Sequence, residues 1–167
     1  MSRQIATFVL DQTVFGLDIL LAKEVYKHTN ISPVPEAPSQ ILGLMNLRGK
    51  VVTLIDLNIC LNRTKTKDNE DSRLLILKTN SEILPYREEK HLADVDLGDD
   101  ITGILIDRMD DVLSVEAEDI LPPPPNLENI DEKLIDGVIK KNKHLVILLN
   151  VTAVINQVYD ALTENDN

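Results

Sequence analysis

The chain has 167 residues, of which 43% are hydrophobic and 3% aromatic, and its formal net charge at pH 7 is −11. A surface this acidic repels phosphate, which makes nucleic acid and anionic membranes poor partners. The single cysteine, Cys60, excludes an intramolecular disulfide framework and a cysteine-based zinc site. Because no apolar run reaches the roughly 18 to 20 residues that span a bilayer, the composition predicts a soluble cytoplasmic protein without direct membrane insertion.

Short runs of Ile, Leu and Val begin the chain. Residues 4–10 and 13–18 are separated by a polar Asp-Gln pair and predict a β-hairpin. Residues 19–26 fit a short helical turn and a strand equally well. After a Pro-Val-Pro sequence, which requires extended backbone, residues 38–42 predict one helical turn with proline near its start.

The densest apolar pattern lies in the middle of the first half. Residues 43–47 and 50–57 predict two strands on either side of an Arg-Gly pair, and the second is apolar on both faces, as a doubly buried strand is. Further strands are predicted at residues 74–77, 101–106, 112–115, 134–139 and 145–149. About ten short strands at this spacing indicate an all-β barrel or sandwich.

Several segments interrupt the regular spacing of the predicted strands. Residues 64–72 are polar and predict a surface loop. Residues 79–100 are long and charged, with few apolar anchors, and predict a mobile insertion loop that contains at most one frayed helical turn and whose shortening costs little stability. Residues 122–125 are four prolines, which predict an extended linker. Residues 151–162 carry apolar side chains at helical spacing and predict a C-terminal helix packed on the barrels.

Candidate catalytic chemistry is sparse. Asp107, Asp110 and Asp111 follow a predicted strand and could act as acid and base or bind a divalent ion, although a polar turn accounts for them more simply. His91 falls in the charged loop and is expected at the surface. We therefore expect no enzyme activity, no catalytic, cofactor-binding or metal-binding residues and no cofactor; a metal-dependent enzyme using the three aspartates is the disfavoured alternative.

Arg48 is the most unusual charged residue, because it lies between two apolar strands. Gly43 and Gly49 beside it permit positive φ or close backbone approach. A partly buried arginine keeps its charge and requires a carboxylate or carbonyl partner, and Glu24 and Asp56 are the candidates. The pattern leaves open whether Arg48 closes a hairpin, contacts a partner, or does both.

These residues carry a family resemblance. The sequence Asn-Leu-Arg-Gly at residues 46–49, followed by the apolar residues up to 57, resembles the signature of the CheW chemotaxis coupling proteins. The aromatic-Gly-Leu-Asp-Ile sequence at 15–19, the Gly-Ile-Leu-Ile-Asp sequence at 103–107 and the Ile-x-Pro-x-Pro sequence at 120–124 resemble other family segments in the same order. The resemblance extends from about residue 4 to 155.

The resemblance implies an all-β fold of two intertwined five-stranded SH3-like barrels with a C-terminal helix. It implies one domain over residues 1–167, with barrel subdomains at about 1–70 and 71–150. It also implies a non-catalytic adaptor that couples chemoreceptor cytoplasmic tips to the regulatory domain of a CheA-type histidine kinase and is recruited to membrane receptor arrays. A scaffold of a non-flagellar, pilus-type pathway is the alternative within the family.

The resemblance also implies particular site residues. A receptor-binding groove between the barrels would include Ile19, Ala22, Glu24, Gly43, Asn46, Leu47, Arg48, Gly49 and Val112. Arg48 and Glu24 would form a salt bridge at its rim, and the kinase would contact the region of Asn126 and Leu127. Ala22 replaces the valine usual in the family, which removes apolar area from the groove.

Overall fold

The computed structural model, which describes residues 2–27, 30–67, 69–141 and 144–165, contains two β-sheets with eleven strands in total. The first sheet has the strand order β8-β1-β2-β11-β10-β9 and the second the order β3-β6-β7-β5-β4. The first sheet contains β1 Arg3–Leu10, β2 Thr13–Asp18, β8 Arg108–Val115, β9 Ile120–Leu121, β10 Ile135–Lys141 and β11 His144–Leu149. The second contains β3 Ala22–Lys27, β4 Ile41–Leu47, β5 Lys50–Asp56, β6 Arg73–Leu77 and β7 Ile101–Ile106.

The chain passes from one sheet to the other and back. It leaves the first sheet at Asp18 and rejoins it at Arg108, and the parallel pairs β2–β11 and β5–β7 join segments far apart in sequence. The two sheets therefore do not divide the chain near residue 70, as the expected subdomains did. The prediction of two intertwined barrels is confirmed, with one difference: the first sheet has a sixth strand, the two-residue β9.

Each sheet curls around its own apolar interior. The second barrel is closed by a backbone bridge between Ser32, beyond β3, and Leu44 on β4 at the opposite edge. Its interior is formed by Met45, Val52, Leu54, Leu74, Ile76 and Leu105. That of the first barrel is formed by Ile5, Val115, Ile139, Val146 and Leu148. The outward faces pack against each other in a larger central core, which the C-terminal helix α3, Val151–Asn165, also covers.

Two local predictions need correction. The predicted helical turn at residues 38–42 is no more than a single hydrogen-bonded turn, in which Ile41 N donates to Pro38 O at 3.0 Å. The strand β4 begins at Ile41, because Ile41 pairs with Ile55 and Gln40 O accepts a hydrogen bond from Asp56 N. The predicted strand at residues 50–57 ends one residue early, since Asp56 Oδ1 accepts from Asn58 N and begins the single-turn helix α1, Leu57–Cys60. Residues 19–26 contain both predicted alternatives, a 3-10 turn at Ile19–Leu21 followed by β3.

The expectation of a mobile loop with few anchors at residues 79–100 is wrong. The segment does contain the one helical turn that was allowed for, α2 at Asn80–Ile83, but two 3-10 turns at Leu84–Tyr86 and Lys90–Leu92 follow it. Ile83, Leu92 and Leu97 are buried in the central core. These apolar residues are separated by charged ones in sequence, but the short turns bring all three to one side. Residues 79–100 therefore belong to the packed fold.

Candidate functional site

The tip of the β4–β5 hairpin is a two-residue turn. Leu47 pairs with Lys50, and the two intervening residues, Arg48 and Gly49, have φ angles of 51° and 84°. Positive φ at both central positions defines the type I′ turn, whose twist matches that of antiparallel strands. Asn46 Oδ1 accepts a hydrogen bond of 2.9 Å from Gly49 N and fixes the turn. The Asn-Leu-Arg-Gly sequence thus has a structural function, because it builds this turn.

The turn holds the Arg48 side chain against β3. Its guanidinium donates hydrogen bonds of 2.5 Å to Glu24 Oε1 and of 2.5 Å to the Tyr26 hydroxyl, and its Cζ lies 5.7 Å from the centroid of the Tyr26 ring. The hydrogen bond to Glu24 raises the pKa of Arg48 above its ordinary value. Arg48 itself remains exposed, so its outer side is open to a partner.

The other candidate partner of Arg48 is occupied elsewhere. Asp56 is fully buried, and its carboxylate accepts hydrogen bonds from Asn58 N, Thr66 N and Thr66 Oγ1. It therefore ties the polar segment after α1 to the end of β5. The expectation that residues 64–72 form a surface loop holds only in part, since Thr66 and Ser72 are buried.

Gly43 lies where two backbones approach closely. A Cβ built on it would be 2.5 Å from Ser32 O and 2.6 Å from Ile31 Cγ2, and its φ is 155°. Ser32 and Leu44 exchange two backbone hydrogen bonds of 2.8 Å immediately beside it. Only glycine leaves room for this barrel-closing bridge. Gly43 is buried, so its direct contribution is to barrel closure and hence to the position of the hairpin.

Two edge strands expose apolar side chains beside the central core. Val112 on β8 pairs with Ala6, and Val25 on β3 pairs with Leu75; both pairing partners belong to the central core. Directly paired residues share a face of the sheet, so both valines lie on faces directed toward that core. They are nevertheless 51% and 45% exposed.

The remaining apolar positions expected in the groove differ in where they lie. Ile19 and Ala22 are partly buried against the central core, which agrees with a position at the margin between the barrels. Leu47 instead packs against the interior of the second barrel. Val25 was missed as a candidate, although a valine directly after Glu24 on an alternating strand was a usable signal.

The sequence model of the CheW-like domain family matches residues 4–158. This chain belongs to the CheW-like family. It is 29% identical over 154 residues to the chemotaxis protein CheW of Helicobacter pylori, covering 92% of this chain and 82% of that protein. It is 30% identical over 149 residues to the chemotaxis protein CheW of Treponema pallidum, covering 89% and 79% respectively.

A solved structure has the same architecture. The scaffolding protein TtCheW of Thermoanaerobacter tengcongensis superposes with a TM-score of 0.75 and 28% sequence identity, covering 92% of this chain and 88% of that one. The family match and the shared fold support a chemotaxis coupling adaptor. Within the described ranges, no helix of this CheW-like chain is long and apolar enough to cross a membrane.

The region expected to contact a kinase combines strain with partial burial. Asn126 is exposed with a left-handed φ of 58°, and Leu127 begins a 3-10 turn at Leu127–Asn129 while packing partly on the central core. Asparagine tolerates this backbone conformation better than most residues. In this CheW-like chain the turn directs the polypeptide from the four prolines back toward the first barrel.

Of the aspartates proposed for metal chemistry, Asp107 lies between β7 and β8, and Asp110 and Asp111 lie on β8. Asp107 Oδ2 accepts a 2.6 Å hydrogen bond from Asp11 N, and Asp110 and Asp111 are exposed on β8. A cavity of about 560 Å³ borders Asp107, but its walls mix Lys65 and Lys67 with the carboxylates. Among the described residues, no three His, Cys, Asp or Glu side chains are grouped as a metal site.

Two other reactive side chains have structural environments in this CheW-like fold. Burial raises the pKa of the Cys60 thiol to about 12, so the sulfur is protonated at neutral pH. His91 is not the freely exposed residue expected from its charged neighbours. Its Nε2 lies 2.7 Å from Oδ2 of the buried Asp18. The Asp18 carboxylate accepts hydrogen bonds from Arg3 Nε at Oδ2 and from Leu20 N at Oδ1. His91 therefore connects residues 79–100 to the end of β2.

Proposed function

We propose that this protein is a non-catalytic adaptor that couples chemoreceptors to a CheA-type histidine kinase. In this proposal it is cytoplasmic and is recruited to receptor arrays at the membrane. The cytoplasmic tip of the receptor, a helical hairpin, docks between the two barrels. The regulatory domain of the kinase, which the family resemblance gives the same fold, binds by pairing barrel to barrel through other surfaces, including the region of Asn126 and Leu127.

The observation that supports receptor binding is the exposed apolar margin of the central core. Val25 and Val112 lie on core-directed faces of two edge strands, yet about half of each side chain is open to solvent. An amphipathic helix buries such side chains with its own apolar stripe. Ile19 and Ala22 extend the same margin.

Arg48 supplies a polar contact next to this surface, since its partners Glu24 and Tyr26 pair with Ile76 and Leu74 on the face of β3 opposite to Val25. The I′ turn and the bonds to Glu24 and Tyr26 fix its guanidinium before any partner arrives, so little side-chain entropy is lost on binding. Arginine is one of the residue types most often found among the energetic centres of protein interfaces. We expect it to receive a carboxylate or backbone carbonyl of the receptor.

Calorimetric titration tests the two halves separately. The full chain is titrated with the cytoplasmic hairpin fragment of the cognate receptor and, independently, with the regulatory domain of the cognate kinase. Both should bind without nucleotide or metal, at an affinity of roughly 1 to 50 µM, as expected of a transient signalling interface. Val112→Ser should weaken only the receptor titration. Failure of the wild-type chain to bind either partner would refute the coupling function.

A further inference from the structure

Residues 79–100 present a small apolar surface outside the groove. Leu84 is 67% exposed and Tyr86 is 37% exposed, both on the 3-10 turn that follows α2. The ammonium of Lys78 lies 4.7 Å from the centroid of the Tyr86 ring. An exposed leucine, an aromatic ring and a cation together form the kind of surface that a protein partner covers. We call Lys78, Leu84 and Tyr86 the turn patch.

The turn patch is held firmly in place. Ile83, directly before Leu84, is buried in the central core, and so is Leu92. Between them, the Arg87 guanidinium donates hydrogen bonds to the backbone carbonyls of Leu92 and Val95. These contacts fix the backbone on both sides of the patch. An exposed apolar side chain on a fixed backbone costs less ordering entropy on binding than one on a mobile loop.

The turn patch also lies beside the start of β3, which carries the proposed receptor groove. Lys23 Nζ forms a 2.7 Å salt bridge with Glu82 on α2, and Lys78 N donates a 2.9 Å hydrogen bond to Leu21 O. Ala22, between these two anchoring points, is one of the proposed groove residues. A receptor helix that lies along Ile19 and Ala22 would therefore reach the turn patch next.

We propose that the turn patch is a second contact for the receptor hairpin held in the groove and contributes to receptor specificity. This inference rests on the proposed function. The matching segment of the receptor is an amphipathic helix that places an apolar side chain on Leu84 and Tyr86 and a carboxylate near Lys78. Continuity with the groove favours the receptor over the kinase or a second copy of this chain. The added contact also offsets the apolar area lost through Ala22.

The test compares a patch variant with a matched control. The variant carries Leu84→Ser and Tyr86→Ser; the control carries Leu145→Ser, which removes a partly exposed leucine from β11 of the first barrel. Both substitution sets lie at the surface, and equal circular dichroism spectra verify the fold. Each protein is titrated with the receptor hairpin fragment and with the kinase regulatory domain, and its mass is measured by sedimentation.

We expect the patch variant to bind the receptor roughly tenfold more weakly than wild type, the range of a hot-spot loss. Its affinity for the kinase should stay within about twofold, and the control should match wild type in the receptor titration. Receptor affinity within twofold of wild type would overturn the inference and leave the coupling function intact. Weakened kinase binding or a changed mass would assign the patch to another partner and overturn it too. A wild-type chain that binds no receptor would refute both the proposed function and this inference.

Discussion

The hairpin tip at residues 46–49 and the segment at residues 79–100 both combine charged and apolar residues, and they are built in opposite ways. At the tip, four consecutive residues determine the conformation: the Asn46 side chain caps the turn, and Gly49 adopts a positive φ without strain. In the long segment, structure depends on where Ile83 and Leu92 are buried, in a core formed by strands far away in sequence. Local turn chemistry can thus be read from sequence, whereas anchoring to a distant core cannot.

Replacing residues 85–96 with a short Gly-Ser linker should have the largest effect. It removes the fully buried Leu92 and the Arg87 bonds that close the segment. We expect the free energy of unfolding to fall by about 3 to 5 kcal/mol, the usual cost of losing a buried leucine and its packing. Urea denaturation followed by circular dichroism measures it.

The control for this replacement is Leu84→Ala within the same segment, which removes an exposed leucine and should change the free energy of unfolding by less than about 0.5 kcal/mol. If the linker variant were as stable as wild type, the segment would be the weakly attached loop that its charge pattern suggests, and its burial in the central core would be contradicted.

Gly43→Ala should have the next largest effect. The added Cβ would collide with Ser32 O and Ile31 Cγ2 where the second barrel closes. We expect a loss of about 2 to 4 kcal/mol in the free energy of unfolding, since backbone must move at an overpacked site. Gly49→Ala is the matched control: its φ is also positive, but nothing lies within 4 Å of the new Cβ, so strain alone should cost about 1 kcal/mol. Equal losses at the two glycines would contradict close approach as the cause.

Much of the fold was predictable because period-2 apolar runs determine strands locally. The strand at residues 13–18 and the strand at 101–106 have the predicted bounds. The helical turn expected at 38–42 is reduced to one hydrogen-bonded turn from Pro38 to Ile41, because the pairing of Ile41 with Ile55 begins a strand there. The exchange of strands between sheets depends on parallel pairs such as β2–β11, whose partners are more than 120 residues apart.

The candidate site likewise contains features that the local sequence predicts and features that depend on distant packing. The importance of Arg48 and its two candidate partners, Glu24 and Asp56, followed from one rule, that a fixed charge among apolar strands requires a counter-charge, and the family resemblance selected Glu24. Tyr26 as a third member was not foreseen, because its hydroxyl meets Arg48 only through the curvature of the barrel. The link between His91 and Asp18 was also missed, since residues 79–100 carried no sequence signal of where they pack.

The contact between Arg48 and Glu24 tests whether the hairpin tip at residues 46–49 acts in binding rather than in stability. Because Arg48 is exposed, Arg48→Ala should lower the melting temperature by no more than about 2 °C, yet weaken receptor binding roughly tenfold. Arg48→Lys should bind the receptor almost as weakly as Arg48→Ala, since an ammonium lacks the planar fork that reaches Glu24 and Tyr26 together.

A double-mutant cycle with Glu24→Ala, measured by calorimetry with the receptor hairpin fragment, isolates the coupling between the two residues. Strictly additive losses of receptor affinity would show that Glu24 does not orient Arg48 for binding, and the rim contact would then be only a feature of the hairpin.

Cys60 should give the smallest effect. Burial raises its thiol pKa to about 12, so the thiolate that reacts with alkylating reagents is nearly absent from the native protein at pH 8. We expect no labelling by iodoacetamide over an hour in buffer and complete labelling in 6 M guanidinium, read by mass spectrometry. Rapid labelling of the native protein would mean that the packing between α1 and α3 opens easily.

Control of kinase activity by receptor tests the central account most directly. Membranes containing the cognate receptor are mixed with the cognate kinase, with or without this protein, and autophosphorylation is measured with and without the receptor's ligand. The account predicts ligand-controlled activity only when the wild-type protein is present, and loss of that control with Arg48→Ala while kinase binding persists. Equal kinase activity and equal ligand control in its presence and absence would contradict the coupling function.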